Sequence, residues 1–200
     1  MGSTSDLIHD IFTPLPALVV GRLLGSSEED IPDLIRWAGA INGLYEKGGL
    51  IDPQKAIYAE EMLNEMRSFV TRLANERRAI RDKGTLDSSQ DVLAGLVNSE
   101  AVGDSLTESE LVSTVVTLFV AGHETTTHLL GNGLLALLNS DSEMQKIKSQ
   151  PDRIPNAIDE MARFDGSVPR SWRITKMDME ISGVMIPEGQ LVLAMLASAN

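Results

Sequence analysis

From Thr107 to Leu138 the chain keeps a helical apolar period without a stop signal. A helix of that length would run about 45 Å, longer than most globular helices, and is expected to cross the whole molecule. Its start is marked by Thr107 and Glu110, which stand in the register of a capping box. Its middle is odd. Residues 121–127 read AGHETTT, which puts a glycine, three β-branched threonines and an ionisable His123–Glu124 pair into the most apolar stretch of the chain.

The segments before it also read as helices. "PALVVGRLLG" ends at Gly25, a helix-stop residue, and "SSEED" offers caps and early acids for the next. That next helix is expected over roughly 27–46, with Ile31, Leu34, Ile35, Ala38 and Ile41 at helical spacing and "EKGG" closing it. From Pro53 to Lys83 a longer amphipathic helix carries Tyr58, Met62, Met66, Phe69, Leu73 and Ile80 along one stripe. "DKGTLDSSQD" reads as a loop and "VLAGLVNSE" as a short helix. Two more helices are expected near 141–149 and 154–165.

After Phe164 the pattern shifts to short β-prone runs separated by "SG" and "PEG" turns. "MEISGVMI" predicts a hairpin across Ser182–Gly183, and "QLVLAML" predicts a buried strand. The fold class is therefore mainly α with a small β segment: a helical region over 1–165, then the start of a β region over 166–200. No repeat or low-complexity linker interrupts it. The sheet begun after Phe164 has no closing element before Asn200, so the chain reads as truncated.

Composition narrows the function. A net charge of −12 argues against nucleic acid, whose phosphates such a surface repels. The absence of cysteine excludes disulfides, thiolate metal sites and cysteine nucleophiles within these residues. "MGSTSDLIHD" lacks the regions of a signal peptide, and no run of about 18 apolar residues occurs. A soluble, cytoplasmic protein without a membrane partner is the expectation.

Two apparent motifs do not survive their spacing. His123, Glu124 and His128 suggest the zincin pattern, but that pattern needs histidines at i and i+4 on one helix face. Here they stand at i and i+5, about 140° apart, and cannot share a metal on an intact helix. "GNGLLA" (Gly131 to Ala136) matches a dinucleotide fingerprint by letter. It lies inside a continuing helix rather than after a strand, so small residues admitting a neighbouring helix explain it better.

AGHETTT itself permits two readings. In one, Gly122 allows close packing and the threonine hydroxyls bond back to carbonyls one turn earlier. In the other, small residues at 121 and 122 let a flat ligand lie near the backbone. Thr125 then bends toward the carbonyl of residue 121 and widens the turn, and Glu124 relays protons through water. Farther on, "AIDEMARFDGSVPR" places Glu160 and Arg163 at i and i+3, in reach of an ion pair that alone says little.

Taken together, AGHETT, "EMAR" and the run "VPRSWRITKMDMEISGVMIPEGQLVLAMLASAN" resemble a soluble bacterial cytochrome P-450, a haem-thiolate monooxygenase. The resemblance spans nearly the whole chain in consistent order. It implies the central part of that fold, from the middle helices to just past the E-x-x-R helix. Ala121, Gly122 and Thr125 would line the oxygen-binding face of the haem. Thr125 would hydrogen-bond oxygen held on the iron, and Glu124 would help deliver protons. Arg173 would pair with a haem propionate. Thr117, Val120 and Val168 would touch substrate, while Glu160 and Arg163 would be structural.

The resemblance further implies a haem cofactor, O2, a small lipophilic substrate of bacterial secondary metabolism and a ferredoxin-type electron donor. The family's fifth iron ligand is a cysteine thiolate, and this chain holds no cysteine. Any activity is thus expected to belong to a longer parent, with the 200-residue chain inactive alone. The alternative is a cysteine-less relative acting as a non-catalytic partner or activator of another enzyme. An unrelated helical interaction protein would leave AGHETTT and Arg173 unexplained.

Overall fold

The computed structural model describes residues 4–44, 52–99 and 106–199. It divides into two compact units, Met1–Thr127 and His128–Asn200, with the boundary inside the central helix. The change from helix to strand falls later, between Phe164 and Ser171.

The first unit is helical. A π-helical turn, Ile8–Phe12, leads into α1 (Pro14–Leu23), and α2 (Ile31–Asn42), α3 (Pro53–Asp82) and α4 (Val92–Ser99) follow. The central helix α5 is Glu108–Leu138, close to the span that the apolar period predicts. "EKGG", expected to close the second helix, lies outside the described residues. The capping box at the head of α5 forms. Thr107 N–H donates to Glu110 Oε2 at 2.8 Å, and Glu110 N–H donates to Thr107 Oγ1 at 3.3 Å.

The predicted stripes meet in one core. Leu34 and Trp37 of α2, Met66 and Phe69 of α3, Leu93 of α4 and Phe119 of α5 belong to a single buried cluster. Ile35 and Ile41 pack at its edge. Tyr58 departs from its predicted stripe: with its neighbour Ile57 it is exposed, because the buried face of α3 at that end runs through Ala59 and Met62. Between α2 and α3, Trp37 Nε1–H donates to Glu65 Oε2 at 2.8 Å. That bond, with a second from Arg36, holds the Glu65 carboxyl below its usual range.

A polar knot lies beside this core. Gly25 follows α1 with φ of +87°. The N–H of Ser26 bonds Gly21 O at 2.9 Å and that of Gly25 bonds Arg22 O at 3.1 Å, a Schellman closure that favours glycine. Arg77 of α3 reaches into this corner and donates from Nη2 to Gly25 O at 2.9 Å. The same guanidinium holds Asp91 Oδ2 at 2.8 Å, and Asp91 Oδ1 accepts from Ala94 N–H at the head of α4. The Arg77 and Asp91 side chains are only 11% and 2% exposed. One buried ion pair therefore ties the α1–α2 corner to both α3 and α4, the guanidinium bonding the corner and the carboxylate bonding the head of α4.

The second unit combines the rest of α5 with α6 (Asp141–Ser149), α7 (Ile154–Phe164) and four short strands. Gly133 of "GNGLLA" serves helix contact, as its position predicts. A Cβ there would lie 2.4 Å from Met161 Sδ, so any larger residue would force the Met161 side chain to move. Asn132 Nδ2–H donates to Asp165 O at 3.0 Å and secures the end of α7.

Strands β2 (Met179–Ile181) and β3 (Val184–Ile186) form the predicted hairpin, with Ile181 opposite Val184. Its two turn residues, Ser182 and Gly183, both have positive φ, which suits the strand twist. Strands β1 (Ser171–Ile174) and β4 (Leu191–Ala194) pair antiparallel. The "QLVLAML" strand forms but is not buried: Leu191 is 68% exposed. It belongs to a two-stranded sheet, which has too little area to bury both of its faces. Thr175, just after β1, pins the segment that leads into β4, accepting from Gln190 N–H at 2.9 Å and donating to Pro187 O at 2.7 Å.

On α7 the E-x-x-R pair is bidentate. Arg163 Nε–H donates to Glu160 Oε2 at 2.8 Å and Nη2–H donates to Oε1 at 2.6 Å. These bonds, above all, hold the Glu160 carboxyl below its ordinary value of 4.5.

Two measurements check these contacts. Asp91→Ala is expected to cost about 3–5 kcal/mol in urea unfolding, because it strands a buried guanidinium. The Glu160 carboxyl is expected to titrate below 4.5 by NMR and to return toward 4.5 in Arg163→Gln. The stability that this pair contributes is complete above 4.5 and is lost as pH falls through the lowered value.

Candidate active site

The seven residues of AGHETTT are divided among the faces of α5. Leu111, Val112, Val115, Val116 and Phe119 turn into the core of the first unit, and His123 and Thr127 continue that buried side, each 5% exposed. Thr117 and Ala121 are exposed on another side, with Thr125 half-buried in line with them. That second stripe follows i, i+4, i+8 spacing, so its side chains stand one above another. Glu124, half-buried, lies next to it around the helix.

The threonines bond back along the helix. Thr125 Oγ1–H donates to Ala121 O at 2.6 Å and Thr126 Oγ1–H to Gly122 O at 2.8 Å, while Thr127 Oγ1, 3.1 Å from His123 O, has its shorter contact with Phe12 O at 2.9 Å and only one proton to give. The expected widening of the turn does not occur, since α5 is regular α-helix from Glu108 to Leu138. The hydroxyls share carbonyls of the ladder rather than displacing it, which is how a β-branched alcohol is accommodated inside a helix.

Gly122 and Val120 leave the open stripe. A Cβ on Gly122 would lie 3.0 Å from Val20 Cγ2, so the glycine lets α1 pack against α5. Val120 is partly buried against the core. Thr117, Ala121 and Thr125 are thus the predicted residues that share one surface, with Glu124 adjacent. His123 is buried and His128 exposed, consistent with their unsuitability as joint metal ligands.

In the second unit, Val168 is exposed in the segment joining α7 to β1. Arg173, on β1, donates from Nη1 to Ser171 Oγ and to Trp172 O, both at 2.7 Å. Both acceptors are neutral, and among the described residues no carboxylate pairs with it.

His123 and Thr127 carry contacts that the sequence pattern does not reveal. His123 Nε2 lies 3.1 Å from Thr13 O, and Thr127 Oγ1 lies 2.9 Å from Phe12 O. Their i, i+4 spacing is visible in the sequence. Their partners, 110 and 115 residues away, are not.

A planar macrocycle laid against a helix needs small side chains beneath it and a polar group near its centre. The stripe Thr117–Ala121–Thr125 meets both needs, so these residues fit the distal side of a haem. They supply no axial ligand. Among the described residues no cluster of three or more His, Asp or Glu could hold a metal ion, and the chain has no cysteine. No helix among them is long and apolar enough to cross a membrane.

Known proteins resemble this chain in sequence and fold. The cytochrome P450 family profile matches residues 53–200. Cytochrome P450 CYP107DY1 of Priestia megaterium is 33% identical over 98% of the chain, and the chain covers 45% of that protein. Vitamin D(3) 25-hydroxylase of Pseudonocardia autotrophica is also 33% identical, with the same two coverages. Among solved structures, the open form of cytochrome P450 EryK from S. erythraea superposes with a TM-score of 0.84 at 30% identity, over 100% of this chain and 49% of that one. P450BioI, solved with an acyl carrier protein bearing hexadec-9Z-enoic acid, superposes with a TM-score of 0.83 at 28% identity, over 98% of this chain and 48% of that one. The chain spans about half the length of the curated relatives it matches. A family profile over most of the chain, and an incomplete fold with α5 and the E-x-x-R helix in their expected order, establish that the chain belongs to the cytochrome P450 family.

Proposed function

We propose that this chain is the oxygen-handling part of a haem-dependent monooxygenase that inserts one atom of O2 into a small lipophilic molecule in bacterial secondary metabolism. The observation that carries this reading is the open stripe of α5, where small side chains at 117 and 121 lead to the Thr125 hydroxyl with Glu124 beside it. When bound, the haem would supply the redox chemistry at its iron.

The chain's own residues act on position and protons. Ala121 leaves room for a flat group to reach the helix backbone. Thr125, which donates to Ala121 O, keeps lone pairs to accept a proton from one side and can rotate to donate on the other. The Glu124 carboxylate exchanges protons with water at the same turn and refills the hydroxyl. Gly122 acts beneath the surface, seating α5 on α1. Arg173 offers its guanidinium to a haem propionate. Thr117, Val120 and Val168 border the substrate, and Glu160 with Arg163 stiffens α7. Electrons would come from a ferredoxin-type donor, and the thiolate from a part of the parent protein outside these residues. Alone, the 200-residue chain is expected to be inactive.

Names among the relatives support a lipophilic substrate without choosing one. One is a vitamin D(3) hydroxylase, and another structure holds a fatty acyl chain on a carrier protein.

The first test is the ferrous–CO spectrum of the full-length protein. A thiolate-type Soret band is expected. A folded full-length protein without that band would favour the non-catalytic partner, a reading supported by the lack of cysteine here. In the same protein, Thr125→Ala is expected to lower product formed per O2 consumed by about tenfold, the worth of one hydrogen bond to a charged group. Unchanged coupling would remove Thr125 from the chemistry.

A further inference from the structure

Pro14 and Pro16 stand in the first turn of α1 and carry no N–H. The chain is already helical before them, with Leu7 and Thr13 both in right-handed helical backbone. In a continuing α-helix the carbonyl of Phe12 would accept from the N–H of residue 16. Proline at that position deprives it of this partner, and an unpaired carbonyl that leaves water is costly. Thr127 supplies the missing donor from α5, Oγ1 to Phe12 O at 2.9 Å. One residue on, Thr13 O faces His123 Nε2 at 3.1 Å. A carbonyl oxygen can only accept, so His123 must carry its proton on Nε2. Its ring is held beside Phe119, with centroids 5.7 Å apart.

We infer that His123 and Thr127 are positioning residues. They dock the turn of α5 that bears Glu124 and Thr125 onto two successive carbonyls at the start of α1: Phe12 O, which Pro16 leaves without its helical donor, and Thr13 O, whose second lone pair faces His123. The two anchors flank the Glu124–Thr125 pair in sequence and lie one helical turn apart, so together they fix the rotation and the height of α5 at that turn. A single contact would leave the rotation free. Gly122 completes the seat by letting Val20 close against the same turn. The consequence for chemistry rests on the oxygen-activation reading above. A roof that slides or turns by a fraction of a residue moves the Thr125 hydroxyl off its target.

The test uses the full-length, haem-loaded protein with two readouts. Thr127→Val keeps the shape and removes the donor, whereas Thr127→Ser keeps the donor. Amide hydrogen exchange across 121–127 and across the start of α1 is expected to speed up by about fivefold in Thr127→Val and to return to the parent rate in Thr127→Ser. His123→Phe is expected to behave like Thr127→Val. Exchange in Thr127→Val equal to that of the parent would overturn the anchor. Coupling is read beside the Thr125→Ala control. If that control uncouples, Thr127→Val must also lower product per O2, with rescue by serine, and unchanged coupling would overturn the positioning role. If Thr125→Ala does not uncouple, the oxygen-activation reading fails, and the exchange data alone decide whether the anchor exists.

Discussion

A helix has a single circumference, and α5 must use it for two incompatible purposes. One side needs enough buried contact to hold the helix in place, and another has to stay open and small. AGHETTT meets this conflict residue by residue. His123 and Thr127 go inward with hydrogen-bond partners, Gly122 goes inward to admit Val20, and Ala121 and Thr125 stay out. The polar residues that look misplaced in an apolar helix are those whose partners lie on another segment. Burying an imidazole and a hydroxyl is tolerable here because both meet backbone carbonyls, and that of Phe12 has lost its helical donor to Pro16.

Much of this fold is legible in the sequence. Periodicity gives the helices closely, because the stripe that drives burial is also the stripe that the pattern displays. The capping box at Thr107–Glu110 and the hairpin at Ser182–Gly183 are equally readable, since both are closed by neighbours in sequence. The exposure of Tyr58 and Leu191 is not readable. An apolar side chain announces a preference for burial, but whether another surface lies over it depends on residues far away. The Arg77–Asp91 pair is hidden for the same reason: in sequence it is an arginine in a helix rich in both charges and an aspartate in a polar loop.

The site divides along a similar line. Thr117, Ala121 and Thr125 follow from helix spacing alone, and their shared exposure agrees with it. The widened turn does not form, because it requires the hydroxyl to replace a ladder bond rather than share its acceptor. Thr125 and Thr126, each with the i−4 bond in an unbroken helix, show that sharing is sufficient. The oxygen chemistry proposed for this helix therefore requires no distortion built into the backbone. It needs a hydroxyl at the surface and a carboxylate next to it.

The knot formed by Gly25, Arg77 and Asp91 also bears on recombination between relatives. Its three members lie on different helices or loops, far apart in the chain, yet each makes sense only with the other two. An aspartate at 91 without the arginine leaves a bare buried charge, and any side chain at 25 presses on both. Chimaeras that exchange one helix at a time across this region would split the set, whereas an exchange that carries residues 25 to 91 as one block keeps it whole. The smallest unit of inheritance here is the triplet rather than the helix.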